Sequence, residues 1–476
     1  MGNIVLFKKI TGLFIIVLLA FSYQSCSVED GIDGLDGING INGADGENGQ
    51  DGADGEDGAD GENGQDGEDG EDGAEGADGQ DGADGEDGAD GQDGVDNSGK
   101  TYIFLSGDIS DDEAVDLISA DFGSDTQYIT ISNTTQLTTL DMTAYTGSLE
   151  LIDLIIEDNA ALATVILPTL TKVFVDAIIE DNDALTTIEL PMLTNVNDDL
   201  EIRYNETLTT LDLSALEATG GTLKFDGLDA MASLELPSLK STGSNFEVIN
   251  LDILTSLECP LYEISRGFAF RIKKNPLLNS FEFTSLETVE GIMEIDDNAT
   301  LTTIEFPLLT SVGIDESGNL EITANFSLET LSLPSLSNLG NDLEIMNNTS
   351  LETLSLPSLS NIVDELEIMD NSTLETLSLP SLSNIGDLYI NNNTTLETLS
   401  LPNLTTLDSE DIDFSDNSLD VASVNGLLEQ LAAINPILTG ADIDMRQSPD
   451  AVPTGAGQTA VTTLRNNGNT VRIDNL

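Results

Sequence analysis

The chain of 476 residues contains no histidine and no tryptophan, and sets only 14 Lys and Arg against 88 Asp and Glu. Without imidazole there is no Ser-His-Asp triad, no Cys-His pair and no His-ligated zinc. Any catalysis would fall to carboxylates, Lys or Arg. A formal charge of −74 at pH 7 argues against nucleic acid and anionic lipid surfaces as partners, and favours divalent cations or basic partners. Cysteine occurs twice, as Cys26 and Cys259, too few for a disulfide framework. Long apolar runs are lacking as well. The run from Ile10 to Phe21 is too short to span a bilayer comfortably.

That short run, preceded by Lys8 and Lys9, reads as the apolar core of a signal peptide over residues 1–25. Small Ser25 stands before Cys26, where cleavage belongs. The stretch "YQSCSVED" resembles a bacterial lipobox, with Tyr23 where Leu is usual. The resemblance implies that Cys26 is lipidated, becomes the new N-terminus and holds the chain to a membrane. Glu29 and Asp30 resemble a surface-export signal of Gram-negative lipoproteins, which implies an exposed position on the outer membrane.

From Gly31 to Gly94 glycine stands at every third position, as in "GADGEDGADGENGQDG". This Gly-x-y period resembles collagen, in which only Gly fits the crowded triple-helix axis. The content differs: no proline, lysine or arginine lies between Gly31 and Gly94, and Asp or Glu fills much of the tract. Such a segment buries too little surface to offset its ordering entropy, so residues 26–99 form a non-globular acidic stalk. The period implies a homotrimer; the unopposed carboxylates favour an extended single chain at neutral pH, with trimerisation at low pH or with divalent cations.

Beyond residue 100 a second period takes over. "LEIMNNTSLETLSLPSLSNI" from Leu343, "LEIMDNSTLETLSLPSLSNI" from Leu366 and "LYINNNTTLETLSLPNLTTL" from Leu388 align, with drifted copies back to Ile156. The unit is about 23 residues, the size of one solenoid coil, and about a dozen coils suffice for a continuous core. Leu343-Glu344-Ile345 reads as one strand and Leu354-Ser355-Leu356 as another, ended by Pro357. An Asn column runs through Asn133, Asn159, Asn182, Asn205, Asn275, Asn298, Asn325, Asn348, Asn371, Asn393 and Asn417. Stacked coil on coil, those amides would satisfy turn backbone groups. The pattern resembles receptor L domains and, more loosely, leucine-rich repeats. The expected fold is therefore mainly β: a single-chain β-solenoid over 100–417, right-handed by that resemblance, with small α/β caps. Ligand binding or surface display, not catalysis, is what the resemblance implies. At the N-terminal end Ser110 and Glu113 form a capping box before a short helix. In the C-terminal cap, 418–476, Val421, Val424, Leu427, Leu428 and Leu431 share a helix face. A second helix over 457–466 and a strand over 470–473 follow.

Three side-chain sets are candidates for chemistry. Glu189, Asp212, Glu235, Glu258, Glu282 and Glu305 fall at one outward strand position, giving way to Ser332, Ser355, Ser378 and Ser400. Acid reappears three positions earlier at Glu329, Glu352, Glu375 and Glu397. Strands stacked about 4.8 Å apart would hold these oxygens as a solvated, salt-screened face, the plainer reading, or at a spacing that suits Ca²⁺. Arg266, Arg271, Lys273 and Lys274 form the basic cluster, either an anion or partner site or local charge balance. Cys259 falls where neighbouring coils place Leu236 and Phe283, a core position. The expected function is a lipid-anchored binding or adhesion protein for an extracellular protein, glycan or matrix. A carbohydrate-active β-helix lyase or hydrolase and a Ca²⁺-dependent structural protein are the alternatives.

Overall fold

A computed structural model describes residues 99–474 apart from 124, 314–317 and 408. The apolar leader, Cys26 and the Gly-x-y tract to residue 98 lie outside the described residues.

One coil carries the logic of all. Strand Leu343–Met346 is followed by Thr353–Ser355 and Asn361–Ile362, and the chain then returns one layer on at Glu365–Met369. Leu343, Ile345, Leu351, Leu354, Leu356, Leu359 and Ile362 all point inward and are buried. Each such side chain contributes about 1.5–3 kcal/mol relative to exposure, but only when coils above and below cover it. The repeat therefore stacks in parallel and in register: Leu343 opposite Leu366, Leu354 opposite Leu331, Asn361 opposite Asn338. The result is a parallel β-solenoid with three faces. The first is a continuous sheet of 16 strands and the third a sheet of 12. The second face is broken into sheets of 4, 3, 3 and 2 strands.

Three details depart from the sequence reading. The short third strand, Asn361–Ile362 in this coil, was not expected, because two residues carry no period of their own. The second strand covers Thr353–Ser355 rather than Leu354–Leu356: Leu356 is buried at the corner, which Pro357 turns. Asn133 is exposed, and Thr134 takes its expected place in the Asn column, accepted by Asn159 Oδ1 at 3.0 Å from the backbone and 2.7 Å from the hydroxyl.

Asn133 instead occupies the left-handed position that precedes the column in every coil. Asp158, Asp181, Tyr204, Asn250, Lys274, Asp297, Ala324, Asn347, Asp370, Asn392 and Asp416 all have φ between 53° and 60°, and Gly227 fills the remaining turn at 65°. Asn and Asp tolerate this region better than other side chains. The fold thus favours the polar pairs, such as Asp158-Asn159 and Asn347-Asn348, that mark most repeats.

Behind these turns the Asn side chains form a buried ladder. Asn348 Nδ2 donates to Ile322 O at 2.8 Å, while its Oδ1 accepts from Asn325 N–H at 3.1 Å. The same bonds recur from Asn275 through Asn417 and from Asn159 to Asn205. Between the two runs Leu228 and Leu251, both buried, take the position. This interruption coincides with coils whose core thickens to aromatics: Phe246, Tyr262, Phe270 and Phe283 pack with ring centroids 5.1–6.2 Å apart. Cys259 lies in this core, fully buried and free, as its column position indicated. At the corner between third and first faces coils approach so closely that a Cβ on Gly220 would stand 1.9 Å from Asn197 O.

The ends are closed by short α/β pieces. Strand β1 (Tyr102–Gly107) pairs with β2 (Tyr128–Thr134) and begins the first face. Helix α1 (Asp111–Asp121) follows β1, with the Ser110–Glu113 capping box formed. At the other end α2 (Val421–Ala433) buries Val424, Leu427, Leu428 and Leu431, and α3 (Ala456–Asn466) packs beside it. Strands Asp442–Asp444 and Thr470–Arg472 extend the first face past the last repeat.

Candidate binding face

The first face is the longer of the two unbroken sheets, 16 strands against 12 on the third face, and its outward positions change character along the solenoid. Its outward column starts with Phe104, Thr130, Ile155 and Ile178. It then alternates in sign through Glu201, Lys224, Glu247, Arg271 and Glu294. From Glu294 it continues as Glu321, Glu344 and Glu367, with no cation between, then Tyr389, Asp413 and Asp444, and ends at Arg472.

In the alternating stretch neighbouring strands supply each other's counter-ions. Arg271 bridges Glu247 at 2.9 Å and Glu294 at 3.0 Å, and Lys224 reaches Glu247 at 3.2 Å. Lys273 pairs with Glu294 and lies 3.6 Å from Asp296. Arg203 Nη2 bridges Glu180 at 2.7 Å; its Nε sits 2.9 Å from Glu201 but is poorly aligned for a hydrogen bond, so this is a charge contact only. Two of the four residues in the basic cluster, Arg271 and Lys273, are thus engaged in charge balance. Lys274 sits in the left-handed turn, and Arg266 is exposed beside Phe268, whose ring is 85% exposed.

Burial raises Glu180 and Glu201 even beside Arg203, and the largest rise among the carboxylates lies where cations stop. Partial burial, followed by repulsion from Glu321, Glu367, Asp342 and Glu365, pushes Glu344 up to about 7. Burial raises Glu321 and Glu367 as well, and beside them Asp342 and Glu365. Burial and then the surrounding carboxylates push the Tyr389 phenol up to about 12. This acidic end of the first face escaped the sequence reading because its members alternate with buried Leu and Ile. The signal was the repeated Leu-Glu-Ile triplet, which that reading took only as a strand.

The six carboxylates read as a Ca²⁺ ladder stand on the second face, where the sheet breaks. Glu189 pairs with Asp212, and Glu235 with Glu258 and Glu258 with Glu282. Asp212 and Glu235 lie in separate sheets, as do Glu282 and Glu305, which pairs instead with Ser332. The column is therefore a pair, a triplet and a single residue. Among the described residues, three carboxylates converge to within 4.8 Å at Asp176, Asp198 and Asp199, on a corner rather than on that ladder. Burial and repulsion from Asp198, Asp199 and Asp153 raise Asp176. Each coil uses these acids on the next: Asp176 Oδ1 accepts from Asp199 N–H at 3.1 Å, and Asp199 Oδ1 from Thr222 N–H at 2.6 Å.

A concavity of about 200 Å³ beside α1 is lined mainly by apolar groups, among them Ile118, Phe122, Met142 and Tyr145. A second, of about 670 Å³, lies among Thr126, Gln127, Ser148, Glu150, Phe174 and Val175, and has a single carboxylate. Another, about 450 Å³ on the second face, is lined by Glu352, Glu375, Thr353, Thr373 and Thr395. Cys259, the one thiol among the described residues, is buried, and desolvation pushes it well above its ordinary range.

Two comparisons bear on this arrangement. Residues 29–99 match the family described as collagen triple helix repeat. The stalk is thus collagen-like over its whole periodic length. Among solved structures, a leucine-rich repeat protein from Bacteroides ovatus is 15% identical, with 71% of this chain and 88% of that chain covered and a TM-score of 0.29. The solenoid assignment here rests on the parallel register of the chain itself. No curated protein sequence matches the chain. A collagen-like tract joined to a leucine-rich β-solenoid places the chain among structural or binding proteins.

Proposed function

We propose that this chain is a lipid-anchored surface protein of a Gram-negative bacterium, held at the outer membrane by Cys26. Its collagen-like stalk carries the solenoid outward, and the first face of the solenoid binds an extracellular protein or glycan. The observation that carries this reading is the uninterrupted first face, with apolar, charge-balanced and acidic zones in sequence along one sheet. A long flat face suits a broad partner rather than a small substrate, which is normally enclosed. The acidic zone favours a partner carrying positive charge, since complementary potentials steer encounter. Probing protein and glycan arrays with the chain lacking residues 1–26 tests the binding half. Loss of the hits in a Glu321→Gln, Glu344→Gln, Glu367→Gln variant is expected, and unchanged hits would remove the first face from the reading. Membrane fractionation of Cys26→Ala tests the anchor: the variant should leave the membrane pellet, and unchanged partitioning defeats the lipid assignment.

A Ca²⁺-dependent structural role is the second reading, and the convergence of Asp176, Asp198 and Asp199 is what favours it. Oxygen-only carboxylate sets are what Ca²⁺ takes. Calorimetric titration with Ca²⁺ should then give heat that Asp198→Asn diminishes; no heat and no shift in Tm would dismiss both this triad and the Glu189–Glu305 column.

A further inference from the structure

The two ends of the first face are built differently. Its last strand, Thr470–Arg472, carries an outward Arg472 that pairs with Asp442, the kind of charged edge that prevents strand edges from adding to one another. The opposite edge strand, β1, has the sequence Tyr-Ile-Phe-Leu-Ser-Gly and no charge at all. Among the described residues it pairs with β2 on one side only. Ile103 and Leu105 face the core, while Tyr102 and Phe104 stand outward, 63% and 64% exposed. Tyr102 stacks on Tyr128 with ring centroids 4.3 Å apart, which presents a flat aromatic surface. On α1 beside it Val115 and Leu117 are also exposed. A solenoid end is expected to be polar on its outside; here Asp111, Asp112, Glu113 and Asp116 of α1 supply that polarity, and Tyr102, Phe104, Val115 and Leu117 form an apolar patch beside them.

What covers this face is indicated by what precedes it in the chain. The collagen-like match ends at residue 99, and Gly94, the last glycine of the period, lies eight residues before Tyr102. Eight residues reach at most about 27 Å, so a triple helix would deliver three copies of β1 close to one axis. At linkers this short the effective concentration is of millimolar order, so an apolar contact with a dissociation constant of about 1 mM would be substantially formed. A triple helix of these triplets would need such a contact, because it would bring carboxylates together with no Lys or Arg to offset them.

We propose that the β1 end of the solenoid is a homotrimeric collar: the Tyr102–Phe104 face packs on the same end of two further copies and holds the acidic stalk in register. The inference rests on the collagen-like reading of residues 29–99 and is independent of the ligand and of the lipid.

Sedimentation velocity of the chain lacking residues 1–26, at neutral pH with chelator, is the test. The unsubstituted chain should sediment as a trimer. Tyr102→Ser with Phe104→Ser should weaken association by at least about tenfold. Ile437→Ser, which removes an equally exposed side chain at the far end, should leave the trimer intact. Circular dichroism and Tm report whether the double variant keeps its fold; should it lose the fold, Phe104→Ser alone is read in the same way. A trimer unaffected by loss of Tyr102 and Phe104 overturns the collar and leaves assembly to the stalk. A monomeric or dimeric unsubstituted chain overturns it too, and frees the face for a partner of other chemistry.

Discussion

Asn348 shows what a single side chain does in this molecule. Its amide serves two neighbouring coils at once, donating to Ile322 O and accepting from Asn325 N–H, with no water contact. Truncation to Ala should leave buried backbone groups unpaired at about 1–3 kcal/mol. Asn348→Leu should cost less, because Leu228 and Leu251 already fill this column and pack against the core. Urea denaturation of both variants checks the order; equal losses would show that volume, not the amide, matters there. The preceding turn offers the opposite sign. Ala324 holds φ at 53°, a region that strains any residue with a Cβ, so Ala324→Gly should stabilise by about 1 kcal/mol. A fall in Tm would refute the strain argument.

The acidic run on the first face belongs to the scale of the element, since no member of it is unusual alone. Glu344 is raised from 4.5 to about 7 by burial and then by the carboxylates on the strands either side. The folded chain therefore takes up a proton between about pH 7 and 4.5, where the unfolded chain does not. Stability from this group rises as pH falls through that window and is lowest above it. Glu344→Gln should raise Tm at pH 8 by about 1–3 °C and flatten the pH dependence between pH 7 and 5. A steeper dependence in the variant would contradict the assignment. On the alternating stretch the balance is different: Arg271 serves both Glu247 and Glu294. Arg271→Met should destabilise by about 1 kcal/mol and do so less in high salt, because the pairs are partly exposed.

Across the whole molecule, stability is expected to be a sum over coils and their interfaces. Deleting residues 343–365 removes one coil and joins Asp342 to Leu366, which keeps every column in register. The shortened chain should fold, with a urea m-value lower by under about a tenth. Deleting half that length instead should prevent cooperative unfolding, because the inward and outward positions would no longer match from layer to layer. Loss of folding in both deletions would argue for a cooperative unit larger than the coil.

The coil length, the inward Leu and Ile, the Asn column, the capping box at Ser110 and the core place of Cys259 were legible in the sequence. Each repeats at a fixed spacing, or follows a local hydrogen-bonding rule, so that periodicity alone exposes it. Asn133 was misplaced by one residue, since Asn133 and Thr134 are polar neighbours, as in most of the turns, and only backbone geometry tells the left-handed position from the buried one. The continuity of the faces could not be read at all. Glu189 to Glu305 and Glu294 to Glu367 are equally regular as text, yet the first set is split among separate sheets and the second is continuous. Sequence determined which residues recur, because burial demands a period; tertiary structure decided which recurring residues touch, because hydrogen-bonded register between coils is set by how whole turns stack.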